Sequence, residues 1–334
     1  MDLSIVIVNY RGWKHLQLCL NSLILMGSGE MQSEIIVVDN NSADGQLSVF
    51  KQNYPGVKFL HNRANLGFSN GCNLGARHAN GKFLLFLNPD IIANAGAVFG
   101  MLDILNSHTE ITLLTCRQQN NSGKEEHPYN LFPDLFTLNG LPRSIYKIIH
   151  KKELNERYSL EKNLIFPDWV SGSVVMISAN DFAKTGGWSE DYWLYYEDVE
   201  LCRKVYSLGG KVALSNRHFM IHNHGGATRI NPKTAALTKA EVRISKHVYV
   251  WNHFSGFRAF FMHTMCIIGA LVGKLLPALL SIPFFFSRKL RTYGRLYFRL
   301  LAYYTHALQS RTWLSPRSPN LGFEKSKLEA SEHP

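Results

Sequence analysis

One short segment constrains the fold more than any other part of the sequence. Residues 83–88 read Phe-Leu-Leu-Phe-Leu-Asn, and a run without ionisable side chains is typical of a strand buried on both faces. Pro89 has no backbone N–H for the ladder, so the strand ends there. Asp90 is thus placed at the carboxyl end of a buried strand, where open α/β sheets bind ligands. A metal or a metal-bound phosphate is one candidate partner for Asp90, and an Asx turn is the alternative.

Strand and helix patterns alternate along the first two thirds of the chain. Residues 3–8 and 34–38 are apolar and rich in β-branched side chains, and residues 13–26 carry apolar side chains near helical spacing. This order predicts an α/β fold with a mostly parallel central sheet and right-handed crossovers. No GxGxxG motif follows the first strand, which argues against a dinucleotide-binding dehydrogenase.

Polar side chains follow three of the predicted strands. Asn9 and Tyr10 end the first strand, residues 39–45 follow the second, and residues 88–90 follow a later one. The carboxyl ends of parallel strands share one edge of a sheet, so these groups form a candidate nucleotide site. For residues 39–45, a turn followed by a helix N-cap is the alternative.

Glycine recurs every fourth residue at Gly67, Gly71 and Gly75, which places small residues along one face of a predicted helix. Such a face lets the backbone approach a neighbour or a ligand closely, and packing alone explains it equally well. Asn65 stands where a helix cap would direct free amides towards a diphosphate, although this loop is not a Walker A motif.

Five carboxylates stand among aromatic residues within residues 190–200. Aromatic surroundings lower the local dielectric and raise the pKa of a carboxyl group, so a base that works near neutral pH is one interpretation. A helix is predicted from Glu197 onward, with Glu197 and Asp198 in its first turn. Acids that only complement the helix dipole are the other interpretation.

The positive charge of the chain is concentrated near its C-terminus. The net charge is +11, and residues 242–323 contain eleven lysines and arginines but no acid. The rest of the chain is neutral, so the composition changes near residues 230–245. An anionic membrane surface is the favoured counterpart, and nucleic acid is a minor alternative.

Residues 259–286 are strongly apolar, but Lys274, Pro277 and Pro283 interrupt them. A central lysine costs about 2.5–3.5 kcal/mol on insertion scales, and both flanks are basic, so a segment lying in the cytoplasmic leaflet is favoured over a span. Residues 290–308 mix arginines with apolar side chains, as expected of an interfacial amphipathic helix. A cytosolic partner-binding or core helix is the alternative.

The remaining features concern the cellular compartment and the domain limits. The N-terminus lacks the basic region of a signal peptide, and the five cysteines form no CxxC pair, which indicates a reducing, cytosolic setting. The sequence predicts a catalytic domain over residues 1–235, a basic and apolar helical membrane-associating region over 236–314, and a disordered tail over 315–334.

A resemblance to a known family rests on six segments that occur in order: residues 5–10 (IVIVNY), 37–42 (VVDNNS), 65–68 (NLGF), 87–90 (LNPD), 186–188 (GGW) and 196–202 (YEDVELC). Together they resemble the family 2 glycosyltransferases of the GT-A fold, and most closely the bacterial rhamnosyltransferase-like branch that builds cell-surface polysaccharides. The resemblance covers about residues 3–230. It implies inverting transfer of a sugar from a nucleotide-diphosphate donor, assisted by Mg²⁺ or Mn²⁺.

The resemblance also assigns residues to the donor and to the metal. The residues expected at the nucleotide sugar are Asn9, Tyr10, Asp39, Asn41, Asn65, Gly67, Asn88 and Asp90. Asp90 is similar to the last Asp of the family's DxD metal motif, and a histidine of the segment containing His222 and His224 is expected to complete the metal shell. Which histidine does so is left open. Because Asn-Pro-Asp offers one carboxylate instead of two, we expect a weakly held ion.

On the acceptor side, Asp198 is similar to the family's general base, and Glu197 is the second choice. The metal would offset charge on the departing diphosphate while this carboxylate deprotonates the incoming hydroxyl on the opposite face of the sugar. The other residues assigned to the acceptor side are Trp169, Gly172, Trp188 and Asp191. For Trp188, stacking on a sugar and core packing are the two interpretations.

The sequence therefore predicts a monotopic glycosyltransferase on the cytoplasmic face of the inner membrane, acting on a lipid-linked saccharide. Rhamnose is one candidate sugar, and a role in O-antigen-like or capsule-like synthesis is expected. A sugar nucleotidyltransferase and a non-catalytic membrane-binding module are the alternatives.

Overall fold

The computed structural model describes residues 1–25, 32–223 and 231–322, so the predicted metal ligand His224 lies outside the described residues. The chain divides into two compact units. The first contains Met1–Phe132, Ser144–Ser189 and Asp198–Gly226, and the second contains Pro133–Arg143, Glu190–Glu197 and Ala227–Pro334. Two internal segments of the predicted catalytic domain, and its last residues from 227 to 235, thus group with the C-terminal unit.

Strands are numbered in chain order. They are β1 (Leu3–Asn9), β2 (Ser33–Asp39), β3 (Lys58–His61), β4 (Phe83–Leu87), β5 (Ile91–Ile92), β6 (Ile111–Gln119), β7 (Glu125–Glu126), β8 (Tyr129–Asn130), β9 (Leu164–Ile165), β10 (Trp169–Val170), β11 (Val174–Ser178) and β12 (Lys211–His222).

Helices are numbered in the same way. They are α1 (Trp13–Ile24), α2 (Gln46–Asn53), α3 (Phe68–Arg77), α4 (Ala95–Ser107), α5 (Gly140–Ile149), α6 (Lys151–Arg157), α7 (Ala179–Lys184), α8 (Glu197–Ser207), α9 (Pro232–His253), α10 (Gly256–Leu280) and α11 (Arg288–Ser310).

The central sheet of the first unit has the strand order β3-β2-β1-β4-β11-β6-β12-β5. β1 is parallel to β2 and β4, and β6 is parallel to β12, while β11 runs antiparallel to both β4 and β6. The predicted parallel strands are therefore present, and the sheet as a whole is mixed. The predicted strand at residues 83–88 is β4, which ends at Leu87, just before Asn88 and Pro89.

Side chains of β1 alternate between two cores, because successive residues of a strand point to opposite faces. Ile5 and Ile7 pack with the apolar face of α1, and Val6 and Val8 pack on the other side of the sheet. On that side α3 lies directly on β1. A Cβ atom at Gly71 would come within 2.7 Å of Val8 Cγ1, and one at Gly75 within 2.4 Å of Val6 Cγ1. Close packing therefore explains both of these glycines.

The second unit contains the three long helices α9, α10 and α11. Leu296, Leu300 and Tyr303 of α11 are buried in a core with Ala240 and Ile244 of α9. One face of α11 thus packs against α9, as the core-helix alternative predicts, and the interfacial position of the helix stays a prediction. Exposed apolar side chains lie on α10 and on residues 282–286, and Phe298 and Leu308 of α11 are also exposed.

Lys274, which interrupts the apolar segment, has its ammonium group 5.6 Å from the ring centroid of Tyr293 on α11. This cation–π contact accounts for a lysine at that position. α10 has the length and composition of a membrane-crossing helix, and one such helix is weak evidence for a span.

The segment that begins at residue 315 was predicted to be disordered, but its described part, residues 315–322, is packed against the second unit's other residues. Ser315 and Ser318 are buried, and the Ser318 hydroxyl donates a hydrogen bond to the Glu190 carbonyl at 2.9 Å. The prediction is wrong for residues 315–322, because short polar side chains there satisfy backbone groups instead of remaining solvated. Residues 323–334 lie outside the described residues.

Candidate active site

Three strands bring the predicted donor residues to one edge of the sheet. In the parallel register of β1 and β2, Asn9 lies opposite Asp39, and β4 on the other side of β1 leads into Asn88 and Asp90. The predicted clustering at the carboxyl ends of these strands is thus present in the first unit.

Asn9 is fully buried at the end of β1. Its Oδ1 accepts a hydrogen bond from the Gly12 N–H at 3.1 Å, while its Nδ2 has no partner among the described residues. The next residue, Tyr10, is partly exposed, and the Arg11 guanidinium lies 5.3 Å from its ring centroid. A buried amide donor without a partner costs free energy, so the loop after β1 is a place where a ligand acceptor would be favourable.

The carboxylate of Asp39 is hydrogen-bonded within its own loop. Its carboxylate accepts hydrogen bonds from the main-chain N–H and the hydroxyl of Ser42, and Oδ2 lies 3.3 Å from His61 Nδ1. The side chain is only 2% exposed. The carboxylate therefore takes part in a turn, which was the alternative interpretation of residues 39–45. A direct role at the nucleoside stays a prediction. Asn41 has a left-handed backbone, with φ of 61°, and donates to the Arg63 carbonyl at 3.2 Å.

An amide network that sequence reasoning missed holds the loop before α3. Asn40 Nδ2 donates to Asn65 Oδ1 at 3.1 Å and to the Gly67 carbonyl at 2.9 Å, and Asn62 Nδ2 donates to Asn40 Oδ1 at 3.0 Å. Asn65 Oδ1 also accepts from the Gly67 N–H at 3.2 Å. Asn65 thus orders the loop before α3, but it does not cap the helix as predicted, because Gly67 is the N-cap residue and no described side chain caps it. Nothing in the sequence signals that Asn40 and Asn62 reach this loop.

Asp90 lies beside His222, which is on the opposite strand of a short antiparallel pair. β5 follows Asp90 directly, and its pairing with β12 sets Ile91 opposite His222. Asp90 Oδ1 is 3.4 Å from His222 Nε2, with the side chains 17% and 11% exposed. The structure therefore brings together one predicted carboxylate and one predicted histidine at the carboxyl edge of the sheet.

Two further residues contact the other ring nitrogen of His222. Gln118 Oε1 lies 3.0 Å from His222 Nδ1, and Glu126 Oε2 lies 3.4 Å from the same atom. Gln118 is 1% exposed on β6, and Glu126 lies opposite it on β7. Sequence reasoning assigned neither residue, because the contact depends on how β6, β7 and β12 pair.

Asp90 and His222 offer one carboxylate oxygen and one imidazole nitrogen that face each other. Both are atom types that bind divalent cations. Within the described residues, no three His, Cys, Asp or Glu side chains are grouped so as to hold a metal by themselves. Two protein ligands fit an ion that takes its other oxygens from a bound diphosphate, as the single carboxylate of Asn-Pro-Asp predicts.

Asp198 lies at the start of α8, next to the segment before β11. Its Oδ2 accepts a hydrogen bond from the Gly172 N–H at 3.1 Å, and its Oδ1 accepts one from the Val199 N–H at 2.9 Å. Burial raises the pKa of this carboxyl group, and the two N–H groups partly oppose the rise. A raised pKa suits a general base near neutral pH.

The two tryptophans assigned to the acceptor side, Trp169 and Trp188, differ in burial. Trp188 is 1% exposed and packs edge-on against Phe68 and Phe86, so core packing is the one of the two interpretations that is observed. Trp169 is partly exposed on β10, and its indole N–H donates to the Leu131 carbonyl at 2.8 Å.

Two predicted site residues belong to the second unit. Asp191 accepts hydrogen bonds there from Asn252 at 3.2 Å and Asn320 at 2.8 Å. Glu197 is buried, and Tyr195 and Tyr196 before it have φ of 72° and 71°. Two consecutive bulky residues with left-handed backbone are rare, and such strain concentrates at functional segments. The sequence carries no signal for this conformation.

A groove of about 410 Å³ lies in the first unit between the chain around β8 and the helices α5 and α6. Its polar lining includes Lys147, Lys151, His127, Asn130 and Asn155, and no acid lines it in the described chain. β8 pairs with β10, so Tyr129 lies opposite Val170, two residues before Gly172. The groove is therefore connected through one strand pair to the segment that contacts Asp198.

Comparison with known proteins gives a consistent result. The sequence model of the family described as glycosyl transferase family 2 matches residues 4–170. A relative from Mycobacterium tuberculosis, N-acetylglucosaminyl-diphospho-decaprenol L-rhamnosyltransferase, is 24% identical over 76% of this chain and 85% of its own length. Rhamnosyltransferase WbbL of Escherichia coli is 26% identical over 52% of this chain and 67% of its own length.

Among solved structures, the mannosyltransferase PcManGT of Pyrobaculum calidifontis, in complex with GDP-Man and Mn²⁺, is similar in fold. It superposes with a TM-score of 0.53 at 13% identity, covering 100% of this chain and 88% of that protein. This likeness concerns the fold alone, and it agrees with the α/β glycosyltransferase architecture of the first unit.

Proposed function

Because this chain belongs to the family 2 glycosyl transferases, we propose that it moves a sugar, with rhamnose as the first candidate, from a nucleotide-diphosphate donor to a lipid-linked saccharide. The transfer proceeds with inversion and serves the synthesis of cell-surface polysaccharide. The observation that carries this proposal is the approach of Asp90 and His222 at the carboxyl edge of the sheet, 3.4 Å apart. That edge is where open α/β sheets bind nucleotides.

Asp198 acts as the general base in this proposal. The Gly172 N–H fixes one carboxylate oxygen, and burial raises the pKa of the group, so the carboxylate can accept a proton from the acceptor hydroxyl near neutral pH. The deprotonated oxygen attacks the anomeric carbon while the bond to the diphosphate breaks. A single displacement of this kind inverts the configuration.

Asp90 and His222 would hold the Mg²⁺ or Mn²⁺ ion together with the donor diphosphate. When bound, the ion supplies positive charge that stabilises the departing diphosphate. The loops of Asn9, Asn65 and Gly67 surround the same edge of the sheet and are proposed to shape the nucleotide pocket.

The groove beside α5 and α6 supports an acceptor that carries a diphosphate. Lys147 and Lys151 supply two cations without a lining acid, and neither lysine has an ion pair among the described residues. Ile148 and Ile149 on α5 are 74% and 72% exposed. Cationic and apolar side chains side by side suit a phosphorylated lipid, which is the class of acceptor in the name of the mycobacterial relative.

The second unit is proposed to rest on the anionic cytoplasmic leaflet as a monotopic anchor. Phe285 and Phe286 are 69% and 70% exposed after α10, and Arg288, Lys289 and Arg291 are exposed at the start of α11. An apolar surface followed directly by exposed cations is the pattern of an interfacial membrane site.

A screen of nucleotide sugars tests the central proposal. The full chain is incubated with UDP-, GDP- and dTDP-linked sugars and Mn²⁺, and donor turnover and thermal stabilisation are measured. We expect one donor class to stabilise the chain when the metal is present, and we expect its turnover to require both the metal and Asp198. A chain that responds to no donor would contradict the enzymatic proposal.

A further inference from the structure

We propose that Gln118 and Glu126 are positioning residues that keep the ring proton of His222 on Nδ1, so that the Nε2 lone pair faces Asp90. The inference rests on the proposed metal-assisted transfer, and it concerns residues outside the motifs that carry the family resemblance. It explains how an imidazole at the edge of the sheet is prepared as a ligand before any donor binds.

The first step is the identity of the groups around the imidazole. A neutral imidazole carries one proton, so one ring nitrogen donates and the other accepts. Gln118 Oε1 and Glu126 Oε2 lie 3.0 Å and 3.4 Å from His222 Nδ1, and Asp90 Oδ1 lies 3.4 Å from Nε2.

The second step is the orientation of the Gln118 amide. Ser173 Oγ lies 2.8 Å from Gln118 Nε2 and 2.9 Å from Gln118 Oε1, and Oε1 is the amide atom that lies 3.0 Å from His222 Nδ1. A flipped amide would turn its N–H₂ group towards Nδ1, and Nδ1 would then be a lone pair facing the carboxylate of Glu126 at 3.4 Å. In the observed orientation Nδ1 instead faces two acceptors, Gln118 Oε1 and Glu126 Oε2, whereas Nε2 faces only Asp90, and this difference favours the proton on Nδ1.

The third step concerns burial. Gln118 and Ser173 are 1% and 2% exposed, so water does not compete for the amide and the hydrogen bond is well defined. Partners of this kind behind a ligating histidine fix its ring and tautomer, and their loss typically lowers metal affinity about 10–100-fold.

The fourth step is the consequence at Nε2. With the proton on Nδ1, the Nε2 lone pair and the Asp90 carboxylate are two acceptors at 3.4 Å, and a cation between them relieves the repulsion. The opposite tautomer would instead donate Nε2–H to Asp90 and occupy both groups.

The test uses the full chain in alkaline buffer, with ¹⁵N-labelled histidine and no metal. The resonances of His222 are assigned by comparison with His222→Asn, and two-bond ¹H–¹⁵N couplings report the tautomer. We expect a protonated Nδ1. A protonated Nε2 in the wild-type protein would overturn the proposal.

A matched pair of variants gives the second readout. Gln118→Met keeps the shape of the side chain and removes the acceptor, whereas Gln118→Glu keeps an acceptor oxygen. Binding of Mn²⁺ alone, measured by electron paramagnetic resonance, is expected to weaken at least tenfold in Gln118→Met and to recover in Gln118→Glu. Equal weakening in both variants, or none in either, would overturn the proposal.

Failure of the proposed function has a different signature. If His222→Asn binds Mn²⁺ as the wild-type chain does, His222 is not a metal ligand, and the tautomer measurement still stands on its own. Melting temperatures of all variants identify any that fail to fold.

Discussion

The main-chain N–H of Gly172 donates a hydrogen bond to Asp198 Oδ2 at 3.1 Å. This contact joins the start of α8 to the segment between β10 and β11. A Cβ atom at Gly172 would lie 3.4 Å from Trp188 and 3.5 Å from Asp198, so a side chain there would fit only with contact on both sides. A main-chain N–H that lies next to a buried tryptophan thus holds one oxygen of the proposed base.

The first prediction concerns Asp198→Asn. Without a proton acceptor the acceptor hydroxyl is not activated, and we expect transfer turnover to fall about 10²–10⁴-fold while the donor KM changes little. Steady-state kinetics with the responding donor measure both quantities. Asp103→Asn, at an exposed position on α4, is the control. Retention of wild-type turnover in Asp198→Asn would assign the base elsewhere.

The second prediction concerns pH. Burial raises the pKa of Asp198 above the usual 3.8, and only the deprotonated form accepts a proton. The transfer rate should therefore fall as the pH drops through the raised pKa, with an acidic inflection that lies above 3.8. A pH profile of kcat for the wild-type chain checks this, and an inflection at or below the usual aspartate value would contradict the effect of burial.

The sequence predicted the strands that build the site because each is a compact apolar run ended by polar residues. That pattern predicts strands β1, β2 and β4, and it also predicts that Asn9 and Asp39 lie close together. The buried position of Trp188 could not be predicted, since a tryptophan after Gly186 and Gly187 fits both stacking on a sugar and packing in the core.

The contacts of His222 show what the sequence could not predict. Gln118, Glu126 and His222 come together only because β12 is parallel to β6 and antiparallel to β5, and strand pairing over a hundred residues leaves no local signal. The division into units likewise depends on contacts between residues far apart in the sequence. Residues 190–197 look like part of the catalytic segment, yet Ser245 on α9 donates to the Leu194 carbonyl at 3.0 Å.

The third prediction tests the groove beside α5 and α6. In Lys147→Ala combined with Lys151→Ala, the KM for an acceptor with a diphosphate should rise about tenfold or more, because two charge-assisted contacts are lost. The donor KM and the KM for an alkyl glycoside without diphosphate should stay unchanged. Lys152→Ala, exposed but outside the groove lining, is the matched control. Equal effects on both acceptors would remove the groove from the acceptor site.

The fourth prediction tests the membrane surface of the second unit. Replacing Phe285 and Phe286 with serine removes exposed apolar area, and we expect vesicle binding to weaken about tenfold or more. Replacing Arg288 and Lys289 with glutamine should weaken binding only to vesicles that contain anionic lipid, and salt should mimic that effect. Vesicle co-sedimentation measures both, with Phe136→Ser, at another exposed phenylalanine, as the control. Unchanged sedimentation would contradict the anchor.

The fifth prediction concerns Glu241 on α9, which is 2% exposed. Burial raises its pKa from 4.5 to about 7, although Ser315 and the guanidinium of Arg317, 3.9 Å away, oppose the rise. The folded state therefore binds a proton that the unfolded chain has released between pH 4.5 and about 7. Stability contributed by the protonated form is present at acidic pH and is lost as the pH rises to about 7, by about 3 kcal/mol in all.

Glu241→Gln resembles the protonated carboxyl and cannot ionise. We expect this variant to have a higher melting temperature than the wild-type chain at pH 8 and a similar one at pH 5, because only the ionised glutamate is penalised by burial. Thermal unfolding at the two pH values measures the difference, and Glu161→Gln, at an exposed position, is the control. A variant less stable than the wild type at pH 8 would show instead that the pairing of Glu241 with Arg317 outweighs the cost of burying the charge.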